Sequence, residues 1–305
     1  MAGGTPMKVR IGYGLGVRSR TNVAARFSAF VDALEALRFD SLWLSERLTG
    51  DCPDPMIGLA VAAGRTAKLK LGTSVQVLPG RNPVEVAKQW ATLDRLSGGR
   101  TLPAFGLGVA DPREQQAFGV ERGARAGLFN ELLPLIRRFW TEDAVDHQGP
   151  RYTFAAMTVR PKPLQQPPDV WLGGLAPSEL KRVGRLGDGW LPSFCTPDDI
   201  LRARPIIEAT AAEHGRTFDD EHWGALVPYS SGSLPDDVVA ALAARRPDLD
   251  DMRQVVASGI DGLRALLEQF IAAGASKFVL IPLSEPDDWD AELTTVAEAV
   301  LDLET

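Results

Sequence analysis

Short aliphatic and β-branched runs alternate along the chain with stretches whose apolar residues recur every three or four positions. That alternation predicts parallel strands joined by covering helices. Eight runs stand out, at 8–13, 41–44, 70–77, 101–107, 170–172, 189–191, 224–229 and 277–282. Most are apolar at consecutive positions, as strands buried on both faces are. Between them Phe27, Phe30, Val31, Leu34 and Leu37 form one helical stripe, and Leu128, Leu132, Leu135, Ile136 and Phe139 form another. Leu263, Leu266, Leu267, Phe270 and Ile271 make a third behind the cap candidate Asp261, and Leu293, Val296, Ala297, Val300 and Leu301 a fourth. Thr196, Pro197 and Asp199 read as a helix cap, a first-turn proline and an acidic third position.

Eight strand and helix units predict an α/β protein, a (β/α)8 TIM-like barrel, with a single domain over 7–305 behind a flexible extension at 1–6. Such a barrel takes about 250 residues, so a chain of 305 has length to spare for insertion segments. The excess falls at 110–168, read as one helix with a Pro-rich tail, and at 234–258. Loops that follow barrel strands form the active face, so an insertion there shapes a substrate pocket. Two prolines resist the pattern: Pro103 removes a ladder hydrogen bond from the fourth run, and Pro134 should bend the middle helix.

Charge narrows the partners. Acidic residues outnumber basic ones 40 to 33, and no Lys/Arg block interrupts the chain, so nucleic acid is excluded as the expected partner. No apolar run approaches the roughly 18 residues of a membrane span, and the N-terminus lacks a signal core, which points to the cytoplasm and away from membranes. Cys52 and Cys195 are too few for a disulfide framework or a structural zinc site, so no metal is expected.

Two glycine clusters invite a phosphate reading. Gly12, Gly14 and Gly16 do not complete the dinucleotide fingerprint, because Val17 stands where its third glycine is needed, and they read as a turn at the barrel rim. Gly173, Gly174, Leu175, Ala176, Pro177, Ser178 and Glu179 directly follow an apolar strand and open a helix. Pro177 suits the first helical position while Ala176 offers no capping oxygen, so the free amides await either water or an external anion.

A third tract runs from Leu71 to Pro83 (LGTSVQVLPGRNP), through Leu93 to Arg100 (LDRLSGGR), to Gly106–Leu107–Gly108–Val109. Together with WLGGLAPSELKRVGRLGDGWLPS at 171–193 and SKFVLIPL at 276–283, it resembles the luciferase-like flavin and deazaflavin oxidoreductases over nearly the whole chain. The resemblance implies a bacterial-luciferase-like barrel with a flavin-type cofactor at the carboxyl ends of its strands and its phosphate on the turn 173–178. In the branch using coenzyme F420, Thr73–Ser74–Val75 matches a bulge with a non-prolyl cis peptide at Ser74–Val75, on which the cofactor ring rests. Gly108 and Val109 would offer backbone groups to its phosphate-bearing chain.

One departure stands out. The branch often carries an acidic residue followed by His after the second strand, where this chain has Glu46 and Arg47. His147, His214 and His222 lie elsewhere. Glu46 is therefore the candidate proton-handling residue, its alternative a simple pairing with a nearby Arg, and Arg47 could meet the cofactor's anionic tail or an acidic substrate. Tyr13, Trp43 and Tyr229 near strand ends are open to ring stacking or core packing, while Arg81 and Asn82 could reach the cofactor or, for Asn82, cap a helix. Neither cysteine reads as a nucleophile, and no lysine reads as a Schiff-base former. The expected activity is hydride transfer between F420 and a small organic substrate, by a homodimer. The alternatives are an FMN-dependent monooxygenase or a redox-inactive cofactor-binding barrel.

Overall fold

A computed structural model describes residues 7–234 and 236–305, so the extension expected at 1–6 lies outside the described residues. Eight parallel strands close into a ring. The first, Arg10–Leu15, pairs with the second, Ser41–Leu44, and with the eighth, Lys277–Pro282. The third and fourth are each split in two, as Lys70–Thr73 with Gln76–Val77 and Thr101–Leu102 with Ala104–Gly106. The fifth, Trp171–Leu172, pairs with the fourth and with the sixth, Gly189–Trp190. Bridges from Trp190 to Trp223 and from Ser193 to Leu226 carry the sixth to the seventh, Gly224–Ser230, which pairs with the eighth and completes the (β/α)8 barrel.

The breaks in the third and fourth strands answer each other. Pro103 has no N–H for the ladder, and beside it the third strand leaves its regular path at Ser74–Val75, a cis peptide. Thr73 stitches the gap: its Oγ1 donates to the Ala104 carbonyl at 2.7 Å and accepts from the Ala104 N–H at 3.0 Å. Pro134 lies within the continuous helix Arg125–Thr141 rather than ending it. The helix expected behind Asp261 starts earlier, as Gly259–Ala272, with Ser258 at its cap position and Asp261 in its first turn.

Glycines on the barrel strands make room for tryptophans inside the ring. A Cβ on Gly72 would lie 2.5 Å from the Trp43 ring, one on Gly189 2.4 Å from Trp171, and one on Gly12 2.2 Å from Ser41 Oγ and 2.8 Å from Trp43 Nε1. The two indoles meet edge to face at 6.4 Å and form an inner core with Ala104, Leu191, Val279 and Ile281. Gly12 and Gly14 therefore sit on the first strand beneath packed side chains, and the rim-turn reading of that cluster is corrected. Tyr13 and Tyr229 also face packing rather than a ligand: both are fully buried, their hydroxyls bond to each other, and the Tyr229 hydroxyl donates to Glu292 at 2.6 Å.

The segment 110–168 holds more than the one helix expected. It contains the helices Pro112–Phe118 and Arg125–Thr141 and an antiparallel hairpin of Val145–Gln148 with Thr153–Met157. In the second insertion, helix Asp236–Arg245 packs a small apolar cluster around Leu242, Met252, Val255 and Val256. Among the described residues, no helix is long and apolar enough to cross a membrane, and no cluster of His, Cys, Asp and Glu could hold a metal.

Candidate functional site

A cavity of about 300 Å³ opens at the carboxyl ends of the strands. Seven of the eight strands or the loops just after them supply its wall: Val17, then Ser45 and Glu46, Ser74 with Val75 and Val77, Gly106 to Val109, Leu172 to Gly174, Leu191 with Ser193, and Leu226. Leu191 also belongs to the tryptophan-filled inner core, and Val75 and Leu226 pack against it, so the cavity floor is the top of a solid barrel interior. The volume is at the lower end of ordinary small-molecule sites, and apolar walls with a few convergent polar groups are typical of them.

Seven of the eleven expected site residues meet here: Glu46, Ser74, Val75, Gly108, Val109, Gly173 and Gly174. Leu175, Ala176, Pro177 and Ser178 do not line the cavity; Leu175 is half-buried and the other three are exposed at its rim. Small residues keep the wall flat. A Cβ on Gly106 would lie 2.5 Å from the Val75 side chain, and Gly108 has φ +81° with room for a Cβ only against Val77 and Arg125. Ser45 Oγ and Ser74 Oγ lie 3.1 Å apart, and the Ser74 N–H donates to the Leu44 carbonyl at 2.9 Å, tying the second strand to the irregular third.

Glu46 is both paired and placed at the cavity. Arg81 Nη2 donates to its Oε1, and the Val77 N–H donates to Oε2 at 2.8 Å. Burial nevertheless pushes its pKa above the ordinary carboxylate value; Arg81 and the Val77 N–H oppose that, and the negative charges of Asp54 and Glu114 add to it. Arg47 does not line the cavity. It pairs with Asp111 and lies 3.5 Å from Glu114, so the expected contact with a cofactor tail or an acidic substrate is replaced by an internal network. Arg81 is similarly held by Glu46 and the Val77 carbonyl, and Asn82 caps its helix by accepting from the Val84 N–H at 2.9 Å.

The other sequence candidates lie outside the wall. His147 pairs with Glu131 at 3.1 Å, His214 Nδ1 meets the Thr210 carbonyl at 2.9 Å, and His222 Nδ1 meets the Asp188 carbonyl at 3.0 Å. Cys195 is buried and Cys52 half-buried, and burial raises both thiol pKa values, which fits inert thiols; neither lines the cavity.

Several lining residues were not among the expected site residues. Glu114 is 3 % exposed, accepts from the Thr49 N–H at 2.8 Å and the Thr49 hydroxyl at 2.6 Å, and is held below the ordinary value by these bonds against the opposing pull of burial. Glu179 corrects the open helix end expected at Ala176. Its Oε2 accepts from the Leu175 and Ala176 N–H groups at 3.1 Å each, so the chain's own carboxylate takes those amides. An acidic third helical residue is the signal that could have announced it. Arg182 and Phe129 carry no such local signature.

The sequence model described as luciferase-like monooxygenase matches residues 6–277. A protein of Kineococcus radiotolerans named F420-dependent glucose-6-phosphate dehydrogenase is 29% identical over 295 residues, covering 83% of this chain and 86% of that protein. One of the same name from Intrasporangium calvum is 31% identical over 207 residues, covering 61% and 59%. A solved F420-dependent secondary alcohol dehydrogenase, in complex with an F420-acetone adduct, superposes with a TM-score of 0.82 at 21% identity, covering 98% of this chain and all of that one.

Proposed function

Because this chain belongs to the luciferase-like monooxygenase family, we propose that it is an F420-dependent oxidoreductase acting on a small organic substrate at the mouth of its barrel. The observation that carries the reading is the convergence of Glu46, Ser74, Val75, Gly108, Val109, Gly173 and Gly174 on one cavity. The names of the two relatives from Kineococcus radiotolerans and Intrasporangium calvum favour F420 over FMN.

The wall fits such a group. Apolar side chains from Val75, Val77, Phe105, Leu172 and Leu226 enclose a space suited to a flat ring, and the bare backbone at Gly106, Gly108, Gly173 and Gly174 admits a ring and its chain closely. Bound there, F420 would supply or accept the hydride. Val75 would support the ring from the irregular third strand, and the main chain at Gly108, Val109, Gly173 and Gly174 would hold the phosphate-bearing chain, with Leu175, Ala176, Pro177 and Ser178 completing its rim. Glu46 is suited to hold or release a proton at its carboxyl oxygens, because burial favours its neutral form.

One domain spans 7–305 in this reading, and the two unpaired thiols suit the cytoplasm. Ile57 and Val61, 68% and 43% exposed on one face of helix Pro55–Arg65, give the face through which we place a homodimer. Separate titrations with F420 and FMN, read by fluorescence, test the core proposal: F420 should bind, and a substrate panel should then oxidise or reduce it. Tight FMN binding with no F420 response would reverse the cofactor assignment. F420 binding without turnover on any substrate would leave a redox-inactive barrel.

A further inference from the structure

Four charged side chains line the cavity, and three are acidic. All three are engaged, Glu46 by Arg81 and Val77, Glu114 by Thr49 and Leu48, Glu179 by Leu175 and Ala176. The fourth, Arg182, is the single cation in the wall among the described residues. Its Nε donates to Asn130 Oδ1 at 3.2 Å, and its guanidinium lies over the Phe129 ring at 5.9 Å from the centroid. Among the described residues no carboxylate pairs with it. Burial pulls its pKa below the ordinary value, Glu179 opposes that, and Arg185 adds to it.

The surroundings repeat the sign. Arg185 donates to the same Asn130 oxygen at 3.0 Å. Arg125, one turn before Phe129 on helix Arg125–Thr141, is 4% exposed, donates from Nη1 to the Val109 carbonyl at 2.7 Å, and likewise has no carboxylate partner among the described residues. A chain of net charge −7 thus places three arginines, none with an acidic partner among the described residues, along the Phe129–Asn130 segment and the Val109 carbonyl. An uncompensated guanidinium in the cavity wall, with two more close behind it, calls for an oxyanion, which a guanidinium binds in a fixed forked geometry. The turn alone is a poor anion site, because the Glu179 carboxylate already occupies its Leu175 and Ala176 amides and repels a second negative charge.

We propose that Arg182 is the counter-ion for the oxyanions of the cofactor's side chain, with Arg125 and Arg185 as flanking charge. The proposal rests on the reading that F420 lies in this cavity. That side chain offers two oxyanion sources, a phosphodiester and the carboxylates of its glutamyl tail.

The test compares three deazaflavin ligands: the riboflavin-like alcohol with no phosphate, the phospholactyl form without glutamates, and glutamylated F420. Affinities for wild type, Arg182→Gln and Arg182→Lys are read by fluorescence titration at several salt concentrations, with unfolding midpoints recorded alongside. Arg182→Gln should weaken glutamylated F420 at least tenfold, leave the uncharged ligand within twofold, and flatten the salt dependence. Arg182→Lys should recover most of the loss. A loss that first appears with the phospholactyl form identifies the phosphodiester as the partner, and one confined to the glutamylated form identifies the carboxylates. Equal losses for all three ligands, or none for any, overturn the proposal. If the wild type binds none of the three, the F420 reading falls and this one with it; if the wild type binds them, only the role of Arg182 is at stake.

Discussion

Asp40 and Glu46 flank the same four-residue strand, Ser41–Leu44, one at its entrance and one at its exit, and both are buried carboxylates. Their balance of charge differs. Asp40 meets Lys277 Nζ, Lys70 Nζ at 2.9 Å and Arg10 Nε at 3.8 Å. Burial alone would raise its pKa, but the two lysines hold it down at about 2. Glu46 has Arg81 alone, faces two further carboxylates, and is pushed up. The floor of the barrel is electrostatically closed, as suits a part that only has to stay folded. The mouth is left open to a change of charge, as suits a part that has to react.

The sharpest way to break this contrast is to uncover the floor. Lys277→Met leaves Asp40 buried with only the more exposed Lys70 and Arg10 nearby. Removing one partner of a buried pair typically costs about 3–5 kcal/mol, so equilibrium unfolding in urea should show a loss of that order. A loss under about 1 kcal/mol would mean the floor is no better balanced than the mouth.

A pH titration sharpens the same contrast. The folded pKa of Asp40 lies below the unfolded value of about 3.9. Its stabilising contribution is therefore complete above that value and is lost as pH falls towards 2, on the order of 2 kcal/mol. For Glu46 the sign is opposite: a raised folded pKa means the ionised form is disfavoured by folding, so acidification towards the folded pKa relieves the fold. Wild type should lose stability between about pH 4 and 2, and Asp40→Asn should lose distinctly less over that window.

Much of the floor was legible in the sequence and little of the mouth's charge. Eight apolar runs suffice to predict the ring because a strand covered on both faces has no polar side to show. The split third strand was legible only through the family resemblance of Thr73–Ser74–Val75, and the Thr73 stitch to Ala104 not at all, since nothing in a lone threonine marks it as a substitute for ladder bonds. The hairpin of Val145–Gln148 and Thr153–Met157 escaped because most of its residues are exposed or half-buried and carry no apolar alternation. Arg182 escaped because an arginine on an amphipathic helix looks like any solvated charge until Asn130 and Phe129 fold against it. Gly12 and Gly14 were misread because glycine spacing cannot distinguish a turn from a strand that passes a tryptophan.

Glycines therefore give a second comparison. Gly12→Ala would drive a Cβ to 2.8 Å from the Ser41 carbonyl, against backbone that cannot swing away. Overpacking of this kind costs about 1–3 kcal/mol, and the variant should unfold earlier in urea. Gly174→Ala would put a Cβ 2.6 Å from Glu179 Cβ, which moves only with its helix, and φ of +103° adds strain. That variant should likewise lose about 1–3 kcal/mol of stability, and in addition weaken F420 at least tenfold. If both variants lose stability alone and F420 binding is untouched, the turn at Gly173–Gly174 is structural.

The smallest stability effect, and the one that isolates the mouth, belongs to Glu46→Gln. The amide keeps the size of the side chain and an oxygen for the Val77 N–H, and removes a charge that burial disfavours. Arg81 loses its partner but keeps the Val77 carbonyl and remains partly open to water. Unfolding free energy should therefore change by less than about 1 kcal/mol. Turnover with F420 should fall by about a hundredfold if the carboxyl group moves a proton, and the limb of the pH–rate profile that reports its titration should disappear with it. A Glu46→Gln enzyme with unchanged turnover and an unchanged pH profile would reduce Glu46 to the counter-ion of Arg81, and would leave the mouth as electrostatically inert as the floor.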